Sequence, residues 1–142
     1  MLRILIVDDS RYQRQLVQSC LEGLGRCRLA ADGLAGVTLF REALERGEPF
    51  DLVVMDILMP HLDGHAALSR IRTLDERAGR PEKTKTIMLS SLDDPENMLR
   101  AQFEAGAGVY LTKPFEPADM FEALRALGLA ENPLDGGSCE TS

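Results

Sequence analysis

The stretch Phe50-Asp51-Leu52-Val53-Val54-Met55-Asp56-Ile57-Leu58-Met59-Pro60, continued by His61-Leu62-Asp63-Gly64, decides how this chain is read. Leu52 to Met55 is a short unbroken apolar run, the pattern of a strand covered on both faces within a parallel sheet. A carboxylate, Asp56, ends the run, and Pro60 and Gly64 then turn the chain. Asp56 is therefore expected at the carboxyl end of a buried strand, where open α/β sheets carry their functional groups. A lone aspartate there could equally cap the following helix. Other strands must decide between the two.

Working outward, Arg3-Ile4-Leu5-Ile6-Val7 is a second apolar run ending in acid, at Asp8-Asp9. Ser10 predicts an N-cap for a helix reaching about Leu24, with Leu16, Val17, Cys20, Leu21 and Leu24 on one face and Gly23 and Gly25 as its stop. A short strand is expected from Cys27 to Ala30, and a turn at Asp32-Gly33. A helix carrying Leu34, Val37 and Leu44 should then run to Gly47. Beyond the quoted stretch, Asp63 caps a third helix whose core face is Ala67, Leu68, Ile71 and Leu74, and Glu76 to Lys85 reads as an exposed loop. Thr86 to Ser90 is a fourth strand. Asp94 and Pro95 open a fourth helix with Met98, Leu99 and Phe103 inward. Ala107 to Leu111 is a fifth strand, and Pro117 opens a last helix carrying Met120, Phe121, Leu124 and Leu127. Strands alternating with helices in this way imply an α/β fold, a five-stranded parallel sheet with right-handed crossovers and helices on both faces.

The 142 residues suffice for one domain with a full core. The expected division is a domain over 1–129 and a disordered, aperiodic tail over 130–142. No apolar run is of membrane-spanning length and no signal peptide is expected. The net charge of −7 disfavours non-specific binding to nucleic acid or to anionic membranes and is compatible with a cation site. Cys20, Cys27 and Cys139 stand at no metal-like spacing and read as reduced thiols of a cytoplasmic protein, the first two as small core residues.

In a parallel sheet the strand ends share one edge, so Asp8, Asp9, Asp56, Ser90 and Lys113 converge. Three carboxylates about 5 Å apart at an effective dielectric near 20 repel by roughly 3 kcal/mol per pair. Either some protons stay on, or a cation sits among them. Oxygen ligands without nearby Cys or His suit a hard ion such as Mg²⁺, which also shares phosphate oxygens. With the Lys113 ammonium and the Ser90 hydroxyl, these groups describe a site for a phosphoryl group, with Asp56 as a possible nucleophile.

Four motifs in order, Ile4-Leu-Ile-Val-Asp8-Asp9-Ser10, Asp51 to Gly64, Ile87-Met-Leu-Ser90-Ser91 and Gly106-Ala-Gly-Val-Tyr110-Leu-Thr-Lys113-Pro114-Phe115, carry a resemblance. The sequence resembles the receiver domain of two-component response regulators from Leu2 to about Leu127, and is similar in extent to the single-domain chemotaxis regulator. The resemblance implies a flavodoxin-like, doubly wound sheet of strand order 2-1-3-4-5. It implies that Asp56 accepts phosphate from a histidine kinase or phosphotransfer protein. Asp9, Asp56 and the backbone carbonyl of Leu58 would ligate Mg²⁺, with Asp8 holding metal-bound water. Lys113 would pair with the phosphoryl oxygens, Ser90 would turn toward them, and Tyr110 would follow into the vacated space. Lys113-Pro114 would be cis. A downstream target would dock on the fourth helix, fifth strand and fifth helix (the α4-β5-α5 face), where Glu96, Arg100, Glu104, Asp119 and Glu122 are exposed candidates. The protein would be a cytoplasmic switch rather than an enzyme, without direct nucleic-acid or membrane binding, as a monomer or a phosphorylation-dependent dimer.

Leu58 and Ser91 occupy positions that in the family tune dephosphorylation, and Leu58 offers no polar group to orient water. The rivals fare worse. An aspartate-nucleophile phosphatase of the haloacid-dehalogenase kind wants a second acid where Leu58 stands. A flavin carrier would need its first loop to cradle a phosphate that Asp8 and Asp9 repel, and aromatics are few at 5%. His61 and His65 straddle a turn without a third ligand and read as solvent-facing. A receiver forming one part of a longer regulator with an output domain is the remaining alternative.

Overall fold

The computed structural model describes residues 1–57, 59, 62–91 and 108–129. Five strands, β1 (Leu2–Val7), β2 (Gly25–Ala30), β3 (Leu52–Asp56), β4 (Lys85–Ser91) and β5 (Val109–Lys113), form one sheet in the order β2-β1-β3-β4-β5. Every pairing is parallel. This is the doubly wound, flavodoxin-like α/β order, with β3 at the centre. Helices α2 (Gly33–Glu45) and α3 (Gly64–Ala78) cover one face, and α1 (Arg11–Leu21) and a C-terminal helix (Pro117–Ala126) cover the other. The fourth helix, the start of the predicted fifth strand at Ala107, and the tail 130–142 lie outside the described residues.

Alternation along each strand sorts its side chains between two cores. Leu5, Val7, Val53, Met55 and Met88 pack with Phe40 of α2 and with Leu68 and Ile71 of α3. Ile4, Ile6, Leu52, Val54, Ile87 and Leu89 pack with Val17 and Leu21 of α1 and with Met120 and Leu124 of the C-terminal helix. Burial on both faces is why β1, β3 and β4 read as continuous apolar runs.

The helix starts follow their caps. Ser10 Oγ accepts from Gln13 N at 3.2 Å, Asp32 Oδ1 from Ala35 N at 2.8 Å, and Asp63 Oδ1 from Ala66 N at 2.9 Å. The C-terminal helix opens on a capping box between Glu116 and Asp119.

Several boundaries and faces differ from expectation. Helix α1 ends at Leu21, and Gly25 is the first residue of β2 rather than a helix stop. A Cβ on Gly25 would lie 2.2 Å from the Leu2 carbonyl oxygen, so the close approach of β2 to β1 requires glycine there. Cys20 and Cys27 are only partly buried, packed at the margin of their core. The buried stripe of α2 is Gly33, Gly36, Val37, Phe40 and Ala43. Leu34 lies about a third of a turn from that stripe and is exposed, and Phe121 is exposed for the same reason. Strand β5 begins at Val109, so Lys113 is its last residue rather than a residue beyond it.

The segment Glu76 to Lys85 is mostly exposed, as predicted, but its ends belong to helix and strand and Thr84 is buried. Helix α3 continues to Ala78, and Asp75 is buried with Arg80 Nη1 2.7 Å from its Oδ1. Its other oxygen accepts from Thr84 N at 2.7 Å, while Thr84 Oγ1 donates to the Phe50 carbonyl at 2.7 Å. These bonds tie the end of α3 to the approaches of β3 and β4. Asp75→Ala should cost about 3 kcal/mol, because it strands both Arg80 and the buried Thr84 amide. Urea denaturation of the pair of proteins checks this, and a loss below about 1 kcal/mol would show the network to be marginal.

Candidate functional site

Three strand ends build the site. Asp8 follows β1, Asp56 is the last residue of β3 and Lys113 the last of β5. Asp8 is 1% and Asp56 6% exposed, whereas Asp9 faces solvent. Carboxylate oxygens of the three acids lie within 4.8 Å of one another. Lys113 Nζ crosses the edge to stand 3.0 Å from Asp56 Oδ1 and 3.5 Å from Asp8 Oδ2. The sequence-predicted acids and lysine are thus brought together. The Lys113–Pro114 peptide is cis, as the resemblance implies.

Backbone contacts hold these groups in place. The Asp8 amide donates to the Ala30 carbonyl at 3.1 Å, and Arg14 Nη1 donates to the Asp8 carbonyl at 2.7 Å. Asp8 Oδ1 accepts from the Ser10 amide at 2.9 Å, while Oδ2 has only the 3.5 Å contact with Lys113 Nζ. After Asp56 the chain turns, and the Gly64 amide donates to the Ile57 carbonyl at 2.8 Å. A Cβ on Gly64 would come within 2.3 Å of the Asp56 carbonyl oxygen, so α3 can start this close to the acid only at a glycine. That approach also buries the next residue. His65 is 5% exposed, which corrects the expectation that it faces solvent.

Ser90 is buried one position beyond Leu89, the register partner of Asp56. On the same face, Ser90 pairs in register with Thr112, and Tyr110 with Met88. Ser90 and Tyr110 are therefore diagonal neighbours on adjacent strands. The Tyr110 hydroxyl has no hydrogen-bond partner among the described residues, and burial pushes its pKa to about 12. Tyr110 also borders a cavity of about 410 Å³ between β5 and the C-terminal helix, with Asp119 and Glu122 on its rim. The Leu58 carbonyl, His61 and the candidates Glu96, Arg100 and Glu104 lie outside the described residues. Arg14 is the contributor that the sequence reading missed. Its one-turn spacing from Ser10 on α1 was the available signal.

Burial pushes the Asp56 carboxyl above the usual carboxylate range, and the neighbouring Asp8 pushes the same way against the opposing pull of Lys113. Asp8 is raised too, again chiefly by burial. The oxygens suit a hard cation. Two oxygens on one Mg²⁺ stand at most about 4.2 Å apart, close to the span of this group, and Asp8 Oδ2 has only the longer 3.5 Å approach of Lys113. The three acids therefore fit the ion.

The chain matches the family model described as response regulator receiver domain over residues 4–125. It is 36% identical to the chemotaxis protein CheY of Halobacterium salinarum over 123 residues, which cover 86% of this chain and 92% of that protein. It is 29% identical to “Probable histidine kinase 2” of rice (Oryza sativa), where 92% of this chain matches only 13% of the kinase. A receiver domain of a sensor histidine kinase from Pseudomonas aeruginosa, solved with a magnesium ion in its active site cleft, superposes with a TM-score of 0.68. It is 32% identical, with 89% of this chain and 98% of that one covered. This chain belongs to the response regulator receiver domain family, the signalling switches of two-component systems. Receiver domains bind Mg²⁺ at an acidic pocket, accept phosphate from histidine kinases and act on downstream targets. No helix among the described residues is long and apolar enough to cross a membrane.

The raised carboxyls make a pH-dependent prediction. The folded chain holds the Asp56 proton more tightly than the unfolded chain does, so ionisation works against folding. This cost is absent below the unfolded value, grows as pH rises through the raised folded value, and is complete above it. In metal-free buffer at about pH 7, Asp56→Asn should therefore melt a few degrees above wild type, with the gap closing toward about pH 4. Differential scanning calorimetry at both pH values checks it, and a variant less stable than wild type at neutral pH would refute the sign.

Proposed function

We propose that this protein is a phosphorylation-dependent switch in which Asp56 is the phosphoacceptor. The observation that carries the reading is Asp56 itself, buried at the end of the central strand, 3.0 Å from Lys113 and grouped with Asp8 and Asp9. Asp9, Asp56 and the Leu58 carbonyl are the residues assigned to hold Mg²⁺, with Asp8 acting through water. When bound, the ion neutralises charge on the transferring phosphoryl group.

The chain's own residues do the rest. An Asp56 carboxylate oxygen attacks the phosphorus of a phosphohistidine. The O–P bond forms as the P–N bond breaks, and the electron pair leaves with the donor imidazole, which takes a proton from solvent. Lys113, already beside Asp56 Oδ1, moves its ammonium to a phosphoryl oxygen. Ser90 donates its hydroxyl to another, and the diagonal neighbour Tyr110 turns into the space this opens. The output is binding of a target protein at the fourth helix, β5 and the C-terminal helix, so the protein is a switch and not an enzyme in the ordinary sense. The donor is a histidine kinase or phosphotransfer protein, and the cytoplasm suits the unpaired thiols Cys20 and Cys27. Dimerisation, where it occurs, follows phosphorylation.

Incubation with acetyl phosphate and Mg²⁺ should label wild type and leave Asp56→Asn unlabelled, because an amide is no nucleophile at neutral pH. Persistent Mg²⁺-dependent labelling of the variant would move the acceptor elsewhere. Mg²⁺ above its dissociation constant should also raise the melting temperature by mass action. Asp9→Ala should largely remove that rise, and an indifferent wild type would count against the metal assignment. For the switch, nuclear magnetic resonance with beryllium fluoride should shift Tyr110 in wild type and much less in Ser90→Ala. Equal shifts in both proteins would separate Ser90 from the output.

A further inference from the structure

At the opposite end of the sheet, four exposed arginines from three elements line one small cavity. Arg3 of β1, Arg26 and Arg28 of β2 and Arg46 at the end of α2 line a space of about 120 Å³ together with Phe50. Arg3 and Arg26 are direct register partners across the β1–β2 pair, and Arg28 lies two residues further along the same face. Like charges at adjacent positions of a sheet oppose folding. A single carboxylate, Glu48, shares the lining, and it approaches only Arg46, at 4.0 Å. Among the described residues no carboxylate stands within ion-pair distance of the Arg3, Arg26 or Arg28 side chains. Asp51 Oδ2 accepts from the Arg3 amide at 2.8 Å, and in a chain of net charge −7 the exposed arginine heads form a local concentration of positive charge.

We infer that this cavity is an anion site for a small polyvalent phosphate: inorganic phosphate, pyrophosphate, or the phosphate end of a nucleotide. Guanidinium forks match phosphate oxygens bidentately, and several forks converging from separate elements favour a multiply charged ligand over a single carboxylate. The cavity is the size of a phosphate group rather than of a whole nucleotide. Phe50 is buried and offers no stacking face, so the site reads charge and leaves the rest of the ligand in solvent. It lies at the amino-terminal ends of the strands, away from Asp8, Asp56 and Lys113, and is independent of phosphorylation.

The alternative is structural: arginine stems cover Phe50 while their heads are solvated. Titration of pyrophosphate into the full chain, in metal-free buffer at low ionic strength, separates the two. Amide and guanidinium resonances of Arg3, Arg26, Arg28 and Arg46 should shift saturably at submillimolar ligand. Sodium chloride at matched ionic strength should not reproduce the shifts. Arg26→Gln/Arg28→Gln, which keeps polar stems without charge, should weaken binding about tenfold or more. Should the double variant fail to fold by circular dichroism, Arg28→Gln alone is read the same way. Inorganic phosphate should bind more weakly than pyrophosphate, and a nucleoside diphosphate about equally to pyrophosphate. Non-saturating shifts, saturable shifts centred instead on Arg41, Arg70 and Arg77 between α2 and α3, or undiminished binding by a folded variant would each overturn the proposal.

Discussion

Lys113 Nζ is the one cation within ion-pair distance of Asp8 and Asp56 among the described residues, and it answers two buried carboxyl groups at once. Burial acts on the acids more strongly than the lysine does, because both carboxyls stay raised despite its proximity. The edge is therefore undercompensated by construction. A fold selected for stability alone would replace one acid with a neutral residue of similar size. Keeping both leaves a local deficit of positive charge that a divalent ion can fill.

The packing around this edge keeps the deficit from relaxing. Gly64 brings α3 against the Asp56 backbone, Asp8 is fixed through its amide, its carbonyl and one carboxylate oxygen, and the apolar runs of β1 and β3 bury the strands that carry both acids. The acids cannot swing into solvent without disturbing the core. Asp9 lies outside that packing and is exposed, so its carboxylate can orient toward a ligand without breaking a buried contact.

The central strands and two of the caps were legible because each rests on a local rule: continuous apolar runs for β1, β3 and β4, and Ser10 and Asp63 at helix starts. The acids and Lys113 were legible because parallel strands place their ends on one edge. What escaped was set by contacts between distant segments. His65 is buried by the glycine before it, which a helical periodicity does not register. Arg80 and Thr84 read as loop and solvent because each is polar, yet with Asp75 they satisfy one another. The arginine-lined cavity depends on the register of β2 against β1, and the sequence reading had begun that strand two residues late.

Arg72 donates to the Thr84 carbonyl at 3.1 Å and to Thr86 Oγ1 at 3.2 Å, and the same Oγ1 accepts from the Gly108 amide at 2.9 Å. One hydroxyl thus fastens helix α3 and the entry of β5 to the beginning of β4. Ser90 and Tyr110 sit further along those same two strands. The pair resembles a panel clamped at its amino-terminal edge, with Ser90 and Tyr110 beyond the clamp. In the switch proposed above, a displacement begun at Ser90 would meet this clamp at the strand entries and act first on its diagonal neighbour Tyr110.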